Sequence, residues 1–253
     1  MTLTVAGQPL IAFLLASIRI LAWLAVVPPF AGHTVPPMAK LVLSLGLAFA
    51  VAPAGDAIPL DTVGLLFNVG TQVLVGLAMG FVTQLMLSAV ATAGSLIDVF
   101  GGFSLAQGFD PLSMNQNTVF GKLHQMLATV LLFVSGGHLL VIGGLLRTFH
   151  FLPLGTTPDW SGAPDLLIKA FSLFFVTAVQ IALPMIAVLF LADLGLALLT
   201  KVAPQLNAIN VMFPAKIGLT LLLIGLSLPV LPQALSRLVE LATQAMSTLS
   251  GAG

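Results

Sequence analysis

The sequence predicts an all-α protein that lies in a membrane and enters it several times. Hydrophobic residues make up 58% of the 253 residues, and charged residues make up only 6%. A soluble domain carries about 25% charged residues, so a water-soluble core could not hide this much apolar surface. The chain also contains long uncharged stretches, such as the one between Asp61 and Asp98. In lipid such stretches form helices, because a helix satisfies its own backbone hydrogen bonds.

Prolines and charges divide the chain into about six apolar runs, each of which we expect to be helical. The runs are 10–27, 41–52, 62–97, 123–146, 170–192 and 217–231. The second is short for a crossing, which takes about 20 helical residues, and the third is longer than a bilayer core requires. These uneven lengths favour helices that pack inside an oligomer. The tail alternates polar and apolar residues at helical spacing and predicts an amphipathic helix. We expect one helical unit over residues 1–253.

A stretch rich in Gly, Phe and Asn, 100–117, lies between two of these runs. Irregular backbone at membrane depth is tolerated only where protein buries it or where it lines a water-filled path. Bulky apolar side chains on such a segment can close a pore, since hydrophobic constrictions gate by dewetting. The alternative is an ordinary buried connection between helices. The candidate gate residues are Phe100, Gly101, Gly102, Phe103, Phe109 and Met114.

Arg19 lies within an apolar run, and Asp98 and Asp193 each follow directly after another. An ionisable side chain at membrane depth is costly, so it needs a partner or a watery cavity. For Arg19 we expect a structural ion pair with an acid such as Asp98 or Asp193. A role in lining a pore is the alternative.

The polar, proline-broken segment 193–216 separates two strongly apolar runs. It predicts a contact with a partner or with the membrane surface. A plain connecting loop is the alternative and would also account for its polar residues. The residues expected to make this contact are Lys201, Pro204, Gln205, Asn207 and Lys216.

Small residues at helical spacing predict close packing between helices. Gly76 and Gly80 form a GxxxG pair, and Gly137 and Gly144 recur at a spacing of seven. Such residues let two backbones approach in lipid, either within this chain or on another subunit. His124 and His138 have no neighbours at metal-ligand spacing, so we expect packed, hydrogen-bonded histidines.

Composition and motifs argue against several other classes of protein. Eight basic and eight acidic residues balance, whereas a nucleic-acid-binding protein needs a basic patch. There is no cysteine, which excludes disulfides and thiol catalysis. No phosphate-binding glycine loop, zinc-protease motif or serine-hydrolase elbow occurs. We therefore expect no enzyme, no cofactor, no metal and no nucleic-acid partner.

Four segments, in the same order, resemble the FliR family, the R component of the flagellar export gate, and its counterparts in type III secretion injectisomes. They are RILAWLAVVPPFAGHTVPPMAK, FGGFSLAQGFDP, SGGHLLVIGGLLRTFHFLPLG and DLGLALLTKVAPQLNAINVMFPAKIGL. The last carries an acidic residue before LGL, a PQLN core and a Pro-x-Lys ending. The resemblance covers nearly the whole chain.

The resemblance implies a helical hetero-oligomer in which one R subunit joins P- and Q-type subunits. Residues 1–160 would be the P-like part and 161–253 a Q-like helical hairpin. The assembly would form the pore through which unfolded flagellar proteins cross the bacterial inner membrane at the flagellar basal body. Partners would also include the large A- and B-type export-gate subunits and membrane lipid. The stretch 100–117 would plug the closed pore, and 204–210 would face a large subunit.

The alternative function is a small secondary transporter for a solute. It would place Arg19, Asp98 and Asp193 around a substrate site near the bilayer midplane, between inverted repeats. The sequence shows no such repeat and few acidic residues.

Overall fold

The computed structural model describes residues 4–32, 35–51, 61–103, 118–202 and 208–251. These residues are almost entirely helical and include no strand, which confirms the all-α prediction. The helices are α1 (Thr4–Val26), α2 (Pro37–Val51), α3 (Thr62–Gly101), α4 (Val119–Val134), α5 (Gly137–Phe151), α6 (Ala163–Val202), α7 (Ala208–Leu223) and α8 (Leu231–Leu249).

The prediction of a polytopic membrane protein is also confirmed. Four stretches of the described chain are long and apolar enough to cross a bilayer, namely Gly7–Val26, Thr62–Gly101, Ala163–Val202 and Pro214–Leu249. The helices α4 and α5 together would add a fifth, and α2 is a shorter apolar helix.

The run 123–146 is not one straight helix, contrary to expectation. α4 ends at Val134 and α5 begins at Gly137, with Ser135 and Gly136 as a break between them. Gly136 adopts φ +72°, in the left-handed region that glycine enters without steric cost. Because a left-handed residue cannot continue a right-handed helix, the chain turns here and starts a new one.

The run 217–231 also departs from the expected single helix. It comprises the end of α7, two short 3₁₀ turns (Ile224–Leu226 and Leu228–Val230) and the first residue of α8. A proline at the start of the second turn removes a backbone donor there. The amphipathic tail helix is confirmed as α8, whose core-facing side carries Leu231, Leu235, Leu238, Ala242 and Met246.

The chain forms two compact units that interleave along the sequence. Unit 1 comprises Met1–Met86, Gly136–Phe171 and Leu238–Gly253. Its core contains large, fully enclosed side chains from α1 and α3, and further ones from α5 and α8. They include Leu15, Ile20, Trp23, Met79, Leu145 and Met246.

Unit 2 comprises Leu87–Ser135 and Ser172–Arg237. Its core is formed by the end of α3 and by the middle of α6, where enclosed residues recur every three or four positions. They are Ala89, Ala93, Ile97, Ala178, Ala182, Met185 and Leu189. The division into residues 1–160 and 161–253 is not tested by these units and stays a prediction.

The GxxxG pair packs within this chain. A Cβ on Gly76 would collide with the backbone carbonyl of Arg19 and lie 2.8 Å from Cβ of Ala22. A Cβ on Gly80 would lie 3.1 Å from Cβ of Val26. Two glycines one turn apart therefore let α3 lie directly against α1, as small residues do in membrane helix pairs.

In the second pair of packing glycines, Gly144 also makes a close contact between helices. A Cβ on Gly144 would lie 2.9 Å from Cγ2 of Thr243, so α5 packs closely on α8. Gly137 is buried at the start of α5.

We predict that Gly76→Ala destabilises the protein by about 1–3 kcal/mol, because the new methyl group overpacks a backbone contact that cannot move freely. Gly70→Ala is the matched control on the same helix, since a Cβ there meets nothing within 4 Å. It should be neutral or up to about 1 kcal/mol stabilising, because alanine is the better helix former. Thermal unfolding of the detergent-solubilised protein measures both, and equal midpoints for the two variants would contradict the packing role.

Candidate functional site

The two ends of the central stretch meet at a junction between α3 and α4. Asp98 on α3 is buried, and its Oδ2 accepts hydrogen bonds from the backbone N–H groups of Phe120 and Gly121, at 2.8 and 3.0 Å. These donors belong to the first turn of α4, where N–H groups have no partner within the helix. Thr118, the residue that precedes α4, makes no side-chain capping bond. A carboxylate from another helix therefore caps α4.

The C-terminus of α3 is closed by a glycine in the left-handed region. Gly102 has φ +84°, and the N–H of Phe103 donates to the carbonyl of Asp98 at 3.0 Å. This is the Schellman arrangement, which satisfies carbonyls that the helix end leaves free. The ring of Phe103 meets the ring of Phe120 edge to face, with centroids 5.0 Å apart. The segment that follows α3 is thus fixed to the start of α4.

The two helices approach closely enough for backbone contact. A Cβ on Gly94 would collide with the carbonyl of Phe120 and lie 2.8 Å from Cα of Gly121. The hydroxyl oxygens of Ser95 and Thr118 are 2.9 Å apart and share a hydrogen bond. Gly94, Ser95 and Asp98 therefore form one continuous contact face toward α4.

The predicted gate residues divide into two groups. Phe100 lies in the last turn of α3, Gly101 and Gly102 are buried, and Phe103 is half-buried against Phe120. Gly101 is a packing position, since a Cβ there would lie 2.8 Å from Oγ1 of Thr220. The other two, Phe109 and Met114, lie outside the described residues. Of the six residues, the structure describes the four at the end of α3 and directly after it, and the sealing role of all six stays a prediction.

His124 lies one helical turn after Phe120 in α4 and is fully buried. Its Nδ1 is 2.9 Å from the carbonyl of Phe120, and its Nε2 is 3.3 Å from Oγ of Ser227. A packed, hydrogen-bonded histidine was expected, and the structure confirms it. His138 is half-buried in α5.

The expected ion pair of Arg19 with an acid is wrong. Arg19 is wholly buried, and its Nε donates to Oε1 of Gln72 at 2.7 Å. Its Nη1 donates to the carbonyl of Leu152 at 3.0 Å, and its Cζ lies 4.2 Å from the centroid of the Phe149 ring. Leu152 directly follows the last residue of α5, at the end of the helix where the dipole is negative. The carbonyl of Leu152, the amide of Gln72 and the ring of Phe149 therefore take the place of the expected acidic partner.

Asp193 pairs with Lys216 instead. Nζ of Lys216 lies 2.8 Å from Oδ1 and 2.9 Å from Oδ2 of Asp193, which joins α6 to α7. Both residues belong to the segment that resembles the family signature, and their ion pair links α6 to α7. Lys201 is exposed at the end of α6, while Pro204, Gln205 and Asn207 lie outside the described residues. Their contact with a partner stays a prediction.

Comparison with known proteins identifies the family. A family described as bacterial export proteins, family 1, matches residues 10–242. The chain belongs to this family. It is 38% identical to the flagellar biosynthetic protein FliR of Escherichia coli over 192 residues, 75% of this chain and 74% of that protein. It is 30% identical to the FliR of Bacillus subtilis, with 78% of each chain covered. The Yop proteins translocation protein T of Yersinia pestis is 28% identical over 66% of this chain and 65% of its own length.

Sequence analysis missed four residues that make the contacts described above. Gly94 was not selected, although it lies one helical turn before Asp98 and so shares its face. Ser95 and Thr118 were missed because single hydroxyl residues carry little signal. Gln72 was missed because an uncharged amide gives no indication that it binds a buried arginine.

We predict that Asp98→Ala lowers the free energy of unfolding by about 1–3 kcal/mol for each backbone donor that it leaves unpaired. Asp98→Asn keeps an acceptor oxygen of the same size and should lose clearly less. Asp159→Ala is the matched control, because this exposed carboxylate accepts hydrogen bonds locally, from Ser161 two residues further along the chain. Thermal unfolding measures all three variants. If Asp98→Ala unfolds at the same temperature as the control, the carboxylate does not hold the junction.

Proposed function

We propose that this protein is a core channel subunit of a flagellar type III export gate in the bacterial inner membrane. It would assemble with P- and Q-type subunits into the pore through which unfolded flagellar proteins leave the cytoplasm. Family membership supports an export role, and 38% identity to a flagellar FliR supports the flagellar machine. The chain would act by shape and packing, with no catalytic step of its own.

The observation that carries the channel role is the fixed base of the central stretch. A loop that closes a pore needs ends that hold their position while cargo passes. Asp98, the Schellman turn at Gly102 and the ring contact of Phe103 with Phe120 supply such an anchor. The segment between them carries Phe109 and Met114, bulky apolar side chains suited to sealing a pore. In this proposal Phe103 anchors the plug and these two residues seal it.

Exposed apolar surface supports assembly with other subunits in lipid. In unit 2, the second half of α6 exposes a series of large hydrophobic side chains, each by 45% or more. They are Leu183, Phe190, Leu191, Leu194, Leu198, Leu199 and Val202. A soluble monomer rarely exposes a contiguous apolar patch of this kind, because such a patch marks a protein or membrane contact. In the proposed assembly, neighbouring subunits or lipid would cover these apolar side chains of the Q-like hairpin.

The secondary-transporter alternative receives no support from the three charges it requires. Arg19 binds Gln72 and Leu152, Asp98 caps α4, and Asp193 pairs with Lys216. Each charge is held by its own set of structural partners, whereas the transporter alternative requires the three to share one substrate site.

The assembly is tested by purifying the tagged full chain from native membranes in mild detergent. We predict that P- and Q-type export-gate subunits of the flagellar system co-purify in fixed ratio, as detected by mass spectrometry. Injectisome subunits in their place would reassign the machine. A monodisperse protein without either set would contradict the proposed function.

The plug is tested by ion conductance of the purified assembly in planar bilayers. We predict that Phe109→Ala leaves assembly intact and raises the resting conductance, because the smaller side chain no longer excludes water. Phe109→Leu is the matched control, since it keeps an apolar side chain of similar bulk and should remain closed. A Phe109→Ala channel that stays as tight as the wild type would refute the sealing role.

A further inference from the structure

The buried guanidinium of Arg19 retains one donor that no acceptor satisfies, and so does the amide that it binds. Nη2 of Arg19 and Nε2 of Gln72 are both enclosed, and neither has a hydrogen-bond partner among the described residues. Both residues have 0% exposure. One helical turn along α1, Nε1 of Trp23 is a third enclosed donor without a partner. This part of unit 1 therefore has an excess of donors.

The geometry of the pair explains the two unsatisfied donors. Nε and Nη2 form one edge of a guanidinium, and a carboxylate binds that edge through two parallel hydrogen bonds. Here Oε1 of Gln72 accepts from Nε at 2.7 Å. The second terminal atom of the side chain is a nitrogen, whereas a carboxylate would have a second oxygen. The amide therefore satisfies one donor of the edge and adds another.

The charge of Arg19 is also not neutralised. The salt bridge found among the described residues joins Lys216 to Asp193 and does not involve Arg19. No carboxylate of the described residues lies within ion-pair distance of Arg19. The carbonyl of Leu152 and the ring of Phe149 supply partial negative charge only. A buried cation without a counter-charge is costly. A group that is negatively charged and accepts hydrogen bonds would supply both the missing counter-charge and the missing acceptors.

We propose that a small monovalent anion, such as chloride, binds beside Arg19 and bridges its Nη2 to Nε2 of Gln72. A water molecule fits the site less well, because it brings two protons that need acceptors of their own. The backbone carbonyls of α1 and α3 around it are engaged in helical hydrogen bonds. An anion accepts from both donors and adds no proton.

The first test measures thermal unfolding of the full chain in detergent at constant ionic strength, with chloride replaced stepwise by gluconate. Binding to the folded state raises the unfolding midpoint as the ligand concentration rises. We expect the midpoint to increase with chloride, and a midpoint that does not change with chloride overturns the proposal.

Two isosteric substitutions on α3 locate the effect. Gln72→Glu supplies the missing acceptor and the missing charge covalently, so its midpoint should no longer depend on chloride and should be at least as high as that of the wild type. Gln84→Glu adds the same charge at an exposed position of the same helix and should keep the chloride dependence of the wild type. A Gln72→Glu variant that keeps the dependence places the anion elsewhere and overturns the proposal.

Bromide gives a direct readout if Gln72→Glu fails to fold. Crystals of the wild-type protein or its native assembly, grown in bromide, should show an anomalous scattering peak in contact with Nη2 of Arg19. Data of the same quality without a peak at this position refute the site.

Discussion

The packing of unit 1 depends on a positive charge buried where three helices meet. Arg19 reaches from α1 to Gln72 on α3 and to the carbonyl that ends α5. Because removing a charge from water costs several kcal/mol, the site persists only while all its partners stay in place. Gly76 lies one turn from Gln72, directly against the backbone of Arg19. Arg19 can therefore reach Gln72 only when α1 and α3 pack closely, and this close packing places the Arg19 side chain inside the core.

In unit 2 a buried negative charge interacts with a helix end, as the buried positive charge does in unit 1. The carboxylate of Asp98 lies at the N-terminus of α4, where the helix dipole is positive, and Arg19 contacts the C-terminal end of α5, where it is negative. A chain with only 6% charged residues thus uses two of its buried charges as caps for helix ends. This arrangement explains why the expected Arg19 ion pair does not form. Each charge already has a partner in the termini of neighbouring helices.

Hydrophobic runs and glycine spacing predicted much of the fold. They indicated the membrane helices, the amphipathic α8 and the close packing at Gly76, Gly80 and Gly144, because those features follow from local periodicity and residue size. The break at Gly136 was not predicted, since a glycine in an apolar run is equally compatible with a continuous helix. The partners of Arg19 and Asp98 were missed for a different reason. They are backbone groups and an amide, which carry no distinctive residue type and lie far away in sequence.

The length of α3 has a consequence for how this helix is covered. Its 40 residues extend about 60 Å along the helix axis, twice the thickness of a hydrocarbon core of about 30 Å. A tilt of about 60° would be needed to immerse it fully, whereas membrane helices tilt by about 0–40°. Part of this apolar helix therefore lies beyond the lipid and has to be covered by protein. In the assembly proposed above, neighbouring subunits would supply that cover.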